Sequence, residues 1–572
     1  MRRKKIANKE IAPDEIFLDS SNLPGMNTGR LEGQLEQPLS RRIMYLFAGV
    51  AFFVLAIIVV QSANLQLVRG QSLRERSDNN SLRYIPVFAE RGVIYDRMGT
   101  PLAWNDEVGR AYIDIGGFSH VLGYIGLPKQ EELVDYFPQE HLGRTGVERT
   151  YNELLGGTPG IKIIETNAVG AVASEGVIEP AIQGSAIALT IDARLQEKLY
   201  EIIASTAFDR GFEGGAAVLM DVRSGELLSL VSYPEYRSQT LSRADDADAI
   251  AGWNTDPRKP FLHRAIAGIY TPGSIIKPFV ALSALAEDII DPYKQIYSAG
   301  YIDIPNPYDP EDYTRFSDWK AHGYIDMREA LAVSSNVYFY EVGGGYKNQP
   351  GLGISRLNSN LSLFGFGTQT GIPLEGEMAG VVPSPSWKEA NFDDGDWRIG
   401  DTYFTSIGQF GFGVTALQMV RAVAALAQNG TLFVPRVFGS IKDIRAPLTP
   451  GFLDSRQKEV YTIASEDTTK LPFSTDDIAV IKDGMRLAVT NGTAAGLNIH
   501  GLEVAAKTGT AELGVSKQKV NSWVIGYWPY QDPKYAFAVV MEKGSRANVI
   551  GGVSVMRTFL DWLRQNVPEY ID

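Results

Sequence analysis

Apolar and polar positions follow three patterns along this chain, and each predicts a different kind of element. From Ile43 to Val60 no charged residue occurs. As a helix those positions span roughly 27 Å, about one hydrocarbon layer. A buried core helix is the alternative, but few core helices are apolar on every side. The polar, mixed-charge residues 1–42 read as a flexible tail. That tail is too long for a signal-peptide n-region and no small-x-small cleavage site follows, so residues 43–62 are predicted to be an uncleaved signal anchor. Arg41 and Arg42 flank one end and Arg69, Arg74 and Arg76 the other, so the positive-inside tally does not set the orientation.

Beyond Ser62 the pattern shortens to strands and turns. Glu90 to Gly99 alternates apolar and charged residues and predicts a strand with a tight turn at Gly99. Gly143 to Tyr151 reads as a loop entering a helix that ends at Gly156-Gly157. Opposite charges at both places read as surface ion pairs of little worth, and the region as packing and spacing. Leu189 to Gln196 passes from strand into helix with Asp192 as N-cap. Apolar runs Ala216–Met220 and Glu226–Val231, then Ser522–Tyr527 and Tyr535–Met541, predict two hairpins. An amphipathic helix, Val555 to Asn566, closes the chain. Strands at both ends of a helix-rich middle predict an α/β (α+β) protein, with an antiparallel sheet covered by helices.

Composition narrows the chemistry. At 572 residues the chain accommodates more than one domain. Its net charge of −13 opposes a nucleic-acid partner, because phosphate contacts need a basic surface. The absence of cysteine excludes thiol catalysis, Cys-ligated metals and disulfides. The five histidines (His120, His141, His263, His322, His500) are scattered, without His-Glu-x-x-His. They argue against a metal site or a serine–histidine triad, and no cofactor is expected. If acyl transfer is encoded, its base should be a lysine.

One stretch offers that lysine. Pro272 and Gly273 break the chain before an apolar run from Phe279 to Leu285, and Pro278, lacking an N–H, fits only a first helical turn. The helix therefore starts near Ser274 and places Ser274 and Lys277 on one face. A hydroxyl at a positive helix end beside an amine is a nucleophile next to a base. A capping serine followed by a solvated lysine is the bland alternative. Two further elements weigh against it. Ser334-Ser335-Asn336 lies between two helical segments, where an N-cap is the simple explanation. Lys507-Thr508-Gly509-Thr510 lies in a strand before the second hairpin, where an edge lysine and a glycine bulge would suffice. Ser-x-x-Lys, Ser-x-Asn and Lys-Thr-Gly in this order form the signature of penicillin-binding proteins and class A β-lactamases.

The chain resembles the class B penicillin-binding proteins, closest to the elongation-type penicillin-binding protein 2, from anchor to last hairpin. Glu90–Leu102 and Gly143–Tyr151 resemble pedestal motifs that β-lactamases lack. Phe316–Lys320, Thr370–Glu377 and Trp397–Thr402 resemble the penicillin-binding protein 2 subgroup rather than the septal one. Phe410 stands where the pattern has Gly, and Ala416 where it has Pro, which puts the local loop geometry in question. The middle residue of Ser-x-Asn varies, so Ser335 reads as unremarkable. Only Glu107-Val108-Gly109 joins the first pedestal motif to Arg110, so the inserted head subdomain is expected to be missing.

The resemblance implies a cytoplasmic tail (1–42), a membrane anchor (43–62), a small mostly-β pedestal (63–185) and a transpeptidase domain with a five-stranded antiparallel sheet (186–572). It implies a single-pass plasma-membrane peptidoglycan D,D-transpeptidase with its catalytic domain outside the cytoplasm. Ser274 would be the nucleophile, Lys277 the base, Ser334 the proton relay, and Asn336 the holder of Lys277 and the substrate amide. Lys507, Thr508 and Thr510 would bind the terminal carboxylate, with Gly509 admitting the substrate. Stem peptides ending in D-Ala-D-Ala, β-lactams, the bilayer and a glycosyltransferase of the shape-elongation-division-sporulation type are the implied partners. The rivals are a septal transpeptidase, a β-lactamase or D,D-carboxypeptidase, and a non-catalytic scaffold or β-lactam sensor. No Glu-x-x-x-Asn for deacylation lies between Asn336 and Lys507, and the tail is small for a signalling domain.

Overall fold

The structure is a computed structural model describing residues 40–74, 82–166, 172–306, 309–441, 468–514, 517–548 and 550–571. All but the last three residues of the 1–42 tail lie outside the described residues. Contacts divide the chain into two units, Met1–Tyr84 with Ile163–Gly176, and Ile85–Lys162 with Val177–Asp572.

The first unit carries helix α1 (Arg41–Ala63), which includes the two flanking arginines and continues to Val68. Its 28 residues would span roughly 42 Å, enough to cross a hydrocarbon layer with tilt. None of α1 is buried in protein, and Phe47, Phe52, Leu55 and Val60 all stand exposed. Such a surface suits lipid and not water.

The second unit is built on an antiparallel sheet of five strands: β1 (Gly214–Asp221), β2 (Leu227–Tyr233), β3 (Ala505–Leu513), β4 (Lys519–Trp528) and β5 (Tyr535–Ser545). They are ordered β2-β1-β5-β4-β3, so β3 is an edge. Around them run α2 (Ala193–Arg210), α3 (Lys277–Ala286), α4 (Met327–Val333), α5 (Asn336–Gly344), α6 (Ala416–Ala427), α7 (Thr475–Asn491) and α8 (Gly552–Asn566). Alternate residues serve different cores. Ala216, Val218 and Met220 join one with α3 and α6, while Ala217 and Leu219 join another with α2 and α8. Burial on both faces explains why β1 reads as an unbroken apolar run. Asp192 caps α2 as its position predicts, accepting from the Arg194 N–H.

The pedestal segment, among its described residues, has no head inserted between the first motif and Arg110. Strands Pro101–Asp106 and Gly109–Tyr112 pair with Asp106 opposite Gly109, leaving only Glu107 and Val108 in the turn. Its charges are not surface pairs, however. Glu148 is fully buried and bonded to Arg91 at 2.6 Å and Arg110 at 2.7 Å, whose side chains are 8% and 1% exposed. Burial alone would raise the Glu148 pKa, but the two guanidiniums outweigh it and hold the carboxyl below its ordinary value. The sequence gives no sign of this because the three partners come from three separate segments.

Removing one member of such a group strands the others. Glu148→Ala leaves two buried guanidiniums without a counter-charge and should cost about 3–5 kcal/mol, read by denaturant unfolding of the detergent-solubilised chain. A loss below ~1 kcal/mol would return these charges to the surface-pair class.

Candidate functional site

Ser274 sits in a 3-10 turn, Gly273–Ile276, that leads directly into α3. In 3-10 geometry side chains three apart eclipse one another, so Ser274 and Lys277 are stacked more closely in azimuth than a pure α-helix would place them. Backbone contacts fix the turn on two sides. Gly273 takes φ +56 and donates its N–H to the Gly408 carbonyl at 2.9 Å. Trp523 Nε1 donates to the Thr271 carbonyl at 3.1 Å. A Cβ on Gly509 would lie 2.8 Å from Ile275 Cγ2 and 3.0 Å from the Pro272 carbonyl. Gly509 is therefore glycine so that the turn carrying Ser274 can lie against β3. Pairing of β3 with β4 runs without a break from Ala505 to Leu513, which excludes a bulge there.

Lys277 is wholly buried. Its amine donates to Asn336 Oδ1 at 2.7 Å and the Ser334 carbonyl at 2.8 Å, with Ser334 Oγ at 3.5 Å, and not to Ser274. Lys507, also wholly buried, donates to Ser334 Oγ at 2.8 Å and its neighbouring Thr508 carbonyl at 2.8 Å. One hydroxyl thus sits between two amines contributed by residues 230 positions apart. Strand alternation puts Lys507 and Gly509 on the face toward the turn. Thr508 and Thr510 lie on the other face, where Thr508 donates to Thr493 at 2.8 Å and Thr510 is exposed.

The Ser334-Ser335-Asn336 corner is a helix–helix junction, as expected, but the cap is Ser335. Ser334 ends α4 in the left-handed conformation, φ +61, and Ser335 opens α5, accepting from the Tyr338 N–H. Far from unremarkable, Ser335 is fully buried and donates to Asp318 at 2.6 Å. The same Asp318 oxygen accepts from the Asn336 N–H at 2.7 Å and the Val337 N–H at 3.0 Å. Asp318 thereby fixes the backbone that aims Asn336. The sequence signalled it only as part of Phe316–Lys320, because its bonds reach 17 to 19 positions along the chain.

Burial pushes the Lys277 amine down to about 7, partly opposed by the Asp318 charge. Lys507 is driven well below its ordinary value by burial first and by the Lys277 charge second. Burial therefore lowers the proton affinity of both amines. No cluster of metal-ligating side chains occurs among the described residues.

Residues 215–558 match the penicillin binding protein transpeptidase domain, and residues 104–189 the penicillin-binding protein dimerisation domain. The chain is 27% identical to the peptidoglycan D,D-transpeptidase MrdA of Haemophilus influenzae, over 93% of this chain and 92% of that protein. The crystal structure of Pseudomonas aeruginosa PBP2 in complex with WCK 5153 matches with a TM-score of 0.69 and 27% identity, over 84% of this chain and 97% of that one. A complex between PBP2 and MreC from Helicobacter pylori matches with a TM-score of 0.68 and 25% identity, over 85% and 99%.

Proposed function

The chain belongs to the penicillin-binding protein transpeptidase family, as a peptidoglycan D,D-transpeptidase of the elongation type, and from that premise we propose that its reaction runs through an acyl-enzyme on Ser274. The observation that carries this is the buried cluster in which Ser334 Oγ sits between the Lys277 and Lys507 amines.

Ser274 Oγ attacks the carbonyl carbon between the two terminal D-alanines of a stem peptide, and the neutral Lys277 amine takes its proton. Backbone N–H groups of Ser274 and Thr510 receive the developing oxyanion, at about 3–4 kcal/mol per donor. The two backbones adjoin, since a Cβ on Gly273 would lie 3.1 Å from the Thr510 carbonyl. The carbon–nitrogen bond then breaks, and the proton passes from Lys277 through Ser334 to the departing D-alanine. An amine of a second strand attacks the ester, gives up its proton by the same route, and leaves a peptide cross-link and a free Ser274.

Lys507 and the open face of β3, with Thr508 and Thr510, receive the terminal carboxylate. A carboxylate arriving there raises the proton affinity of Lys507 and draws the pair's shared charge to it, leaving Lys277 neutral as base. Asn336 holds Lys277 and the substrate amide.

We extend the proposal to the domain limits 1–42, 43–62, 63–185 and 186–572, with residues beyond Val60 outside the cytoplasm. A glycosyltransferase of the shape-elongation-division-sporulation type would meet the anchor and pedestal; the Helicobacter pylori relative is recorded in complex with MreC, another protein partner. Protease added to spheroplasts should remove everything beyond Val60, and the chain should co-elute with that glycosyltransferase in detergent. Full protection would reverse the orientation.

Labelled penicillin should acylate the wild-type chain to a long-lived adduct and leave Ser274→Ala unlabelled. Rapid hydrolysis of the antibiotic would instead indicate a β-lactamase. The neutral fraction of Lys277 grows as pH rises through about 7, so the acylation rate should climb with pH and reach half its plateau there. Asp318 raises the Lys277 pKa, so Asp318→Asn should move that inflection to lower pH while lowering the plateau through loss of the α5 anchor. A shift to higher pH in a pH–rate series would contradict the assignment of Lys277 as base.

A further inference from the structure

The hairpin of Tyr301–Asn306 and Asp309–Ser317 has two unlike faces. Ile302 and Phe316 point inward and are buried, with Phe316 edge-on to Tyr340 and Tyr403. Cross-strand pairing of Tyr301 with Ser317, Asp303 with Arg315 and Pro305 with Tyr313 puts all six on the opposite face. There Tyr301 and Tyr313 are 41% and 51% exposed. The Arg315 guanidinium lies 3.8 Å from the centre of the Tyr301 ring and 5.3 Å from that of Tyr313. Two hydrogen bonds of 2.8 Å to Asp303 hold it in that plane. The strip is thus fixed before any ligand arrives.

Its position matters as much as its composition. The Ser317 carbonyl accepts from Asn336 Nδ2 at 3.4 Å, so the strip starts one hydrogen bond from a residue of the reactive groove. From Ser317 to Tyr313 it runs about 13 Å along the strand. A surface ion pair and a ring–guanidinium contact of this exposure each add little stability. Folding therefore does not explain why rings and a locked guanidinium share this face.

We propose that this face is a subsite for the sugar backbone of the peptidoglycan strand whose stem peptide occupies the Ser274 groove. The proposal rests on the transpeptidase reading above. A pyranose ring has a flat face of C–H groups and a rim of hydroxyls. Tyrosine rings offer apolar area to the first at low entropic cost, and the Arg315–Asp303 pair offers donors and acceptors to the second. A protein partner would be better served by a continuous apolar centre with the charge at its rim, whereas here ring and charge alternate.

The test uses the full-length protein in detergent and glycan chains stripped of their peptides. Wild type should bind these chains, and the double variant Tyr301→Ala with Tyr313→Ala should bind about tenfold more weakly. Cross-linking of intact strands should suffer through KM more than kcat, while acylation by benzylpenicillin, which carries no sugar, should keep its wild-type rate. Tyr301→Phe with Tyr313→Phe should restore binding. Equal binding by wild type and the alanine variant overturns the subsite, as does binding only of free stem peptides, of protein partners, or of nothing. A variant that also loses penicillin acylation overturns it too, because the damage is then general. Failure of wild type itself to take penicillin overturns the transpeptidase reading instead.

Discussion

Two lysine amines are buried with only neutral groups touching them, and the remainder of the site follows from that. The acceptors of Lys277 and Lys507 are two carbonyls, an amide oxygen and one hydroxyl. A full charge on each would be expensive to bury, and the two charges would repel across Ser334. Burial answers this by lowering the proton affinity of both amines. The nearest carboxylate that bears on Lys277, Asp318, spends its hydrogen bonds on Ser335 and the start of α5 and acts on the amine only through space. Direct pairing would have held Lys277 in its charged form. Distance leaves it near neutrality, where a modest change in surrounding charge decides whether it carries a proton.

Holding that balance calls for backbone geometry that ordinary helices and strands do not supply. Ser334 accepts a left-handed conformation at a cost of about 1–2 kcal/mol so that one residue can end α4, bond both lysines and release the chain into α5. Asp318 and Ser335 offset that cost by satisfying the first N–H groups of α5. On the other side of the groove, Gly273, Gly408 and Gly509 let three backbones meet where a single Cβ would collide. Gly273 and Gly408 also take left-handed backbone, φ +56 and +74, whereas Gly509 acts only between segments, which is why local turn rules do not account for it.

Much of this was legible from sequence, and the division has a physical basis. Features set by local periodicity came through: the apolar N-terminal helix, both sheet hairpins, the α2 cap and the closing helix. Motif spacing also named Lys277, Ser334, Asn336 and Lys507, whose side chains the fold brings together over 230 positions. What stayed hidden was every role assigned by a distant partner. Arg91, Arg110 and Glu148 look like surface charges in any short window. Ser335 looks interchangeable until Asp318 is placed beside it. The through-space effect of Asp318 on Lys277 is likewise invisible in sequence, because the two lie 41 positions apart.

The two departures from the family pattern show how a chain can change a loop without disturbing the chemistry. Phe410 adopts φ +60 where a glycine would be unstrained. Its ring stacks on Phe392 at 5.7 Å and meets Trp387 at 5.9 Å and Trp397 at 5.7 Å edge-on. Aromatic contacts of this kind are worth about 0.5–1.5 kcal/mol each, enough to offset one left-handed residue. Ala416 replaces a proline at the first position of α6, but Thr415 and Gln418 close a reciprocal capping box there. Gln418 then reaches the Thr368 and Ala379 carbonyls at 2.7 Å each. In both places side-chain contacts hold the local backbone. Gly408, in the same loop as Phe410, accepts the Gly273 N–H at 2.9 Å and so ties this loop to the Ser274 turn.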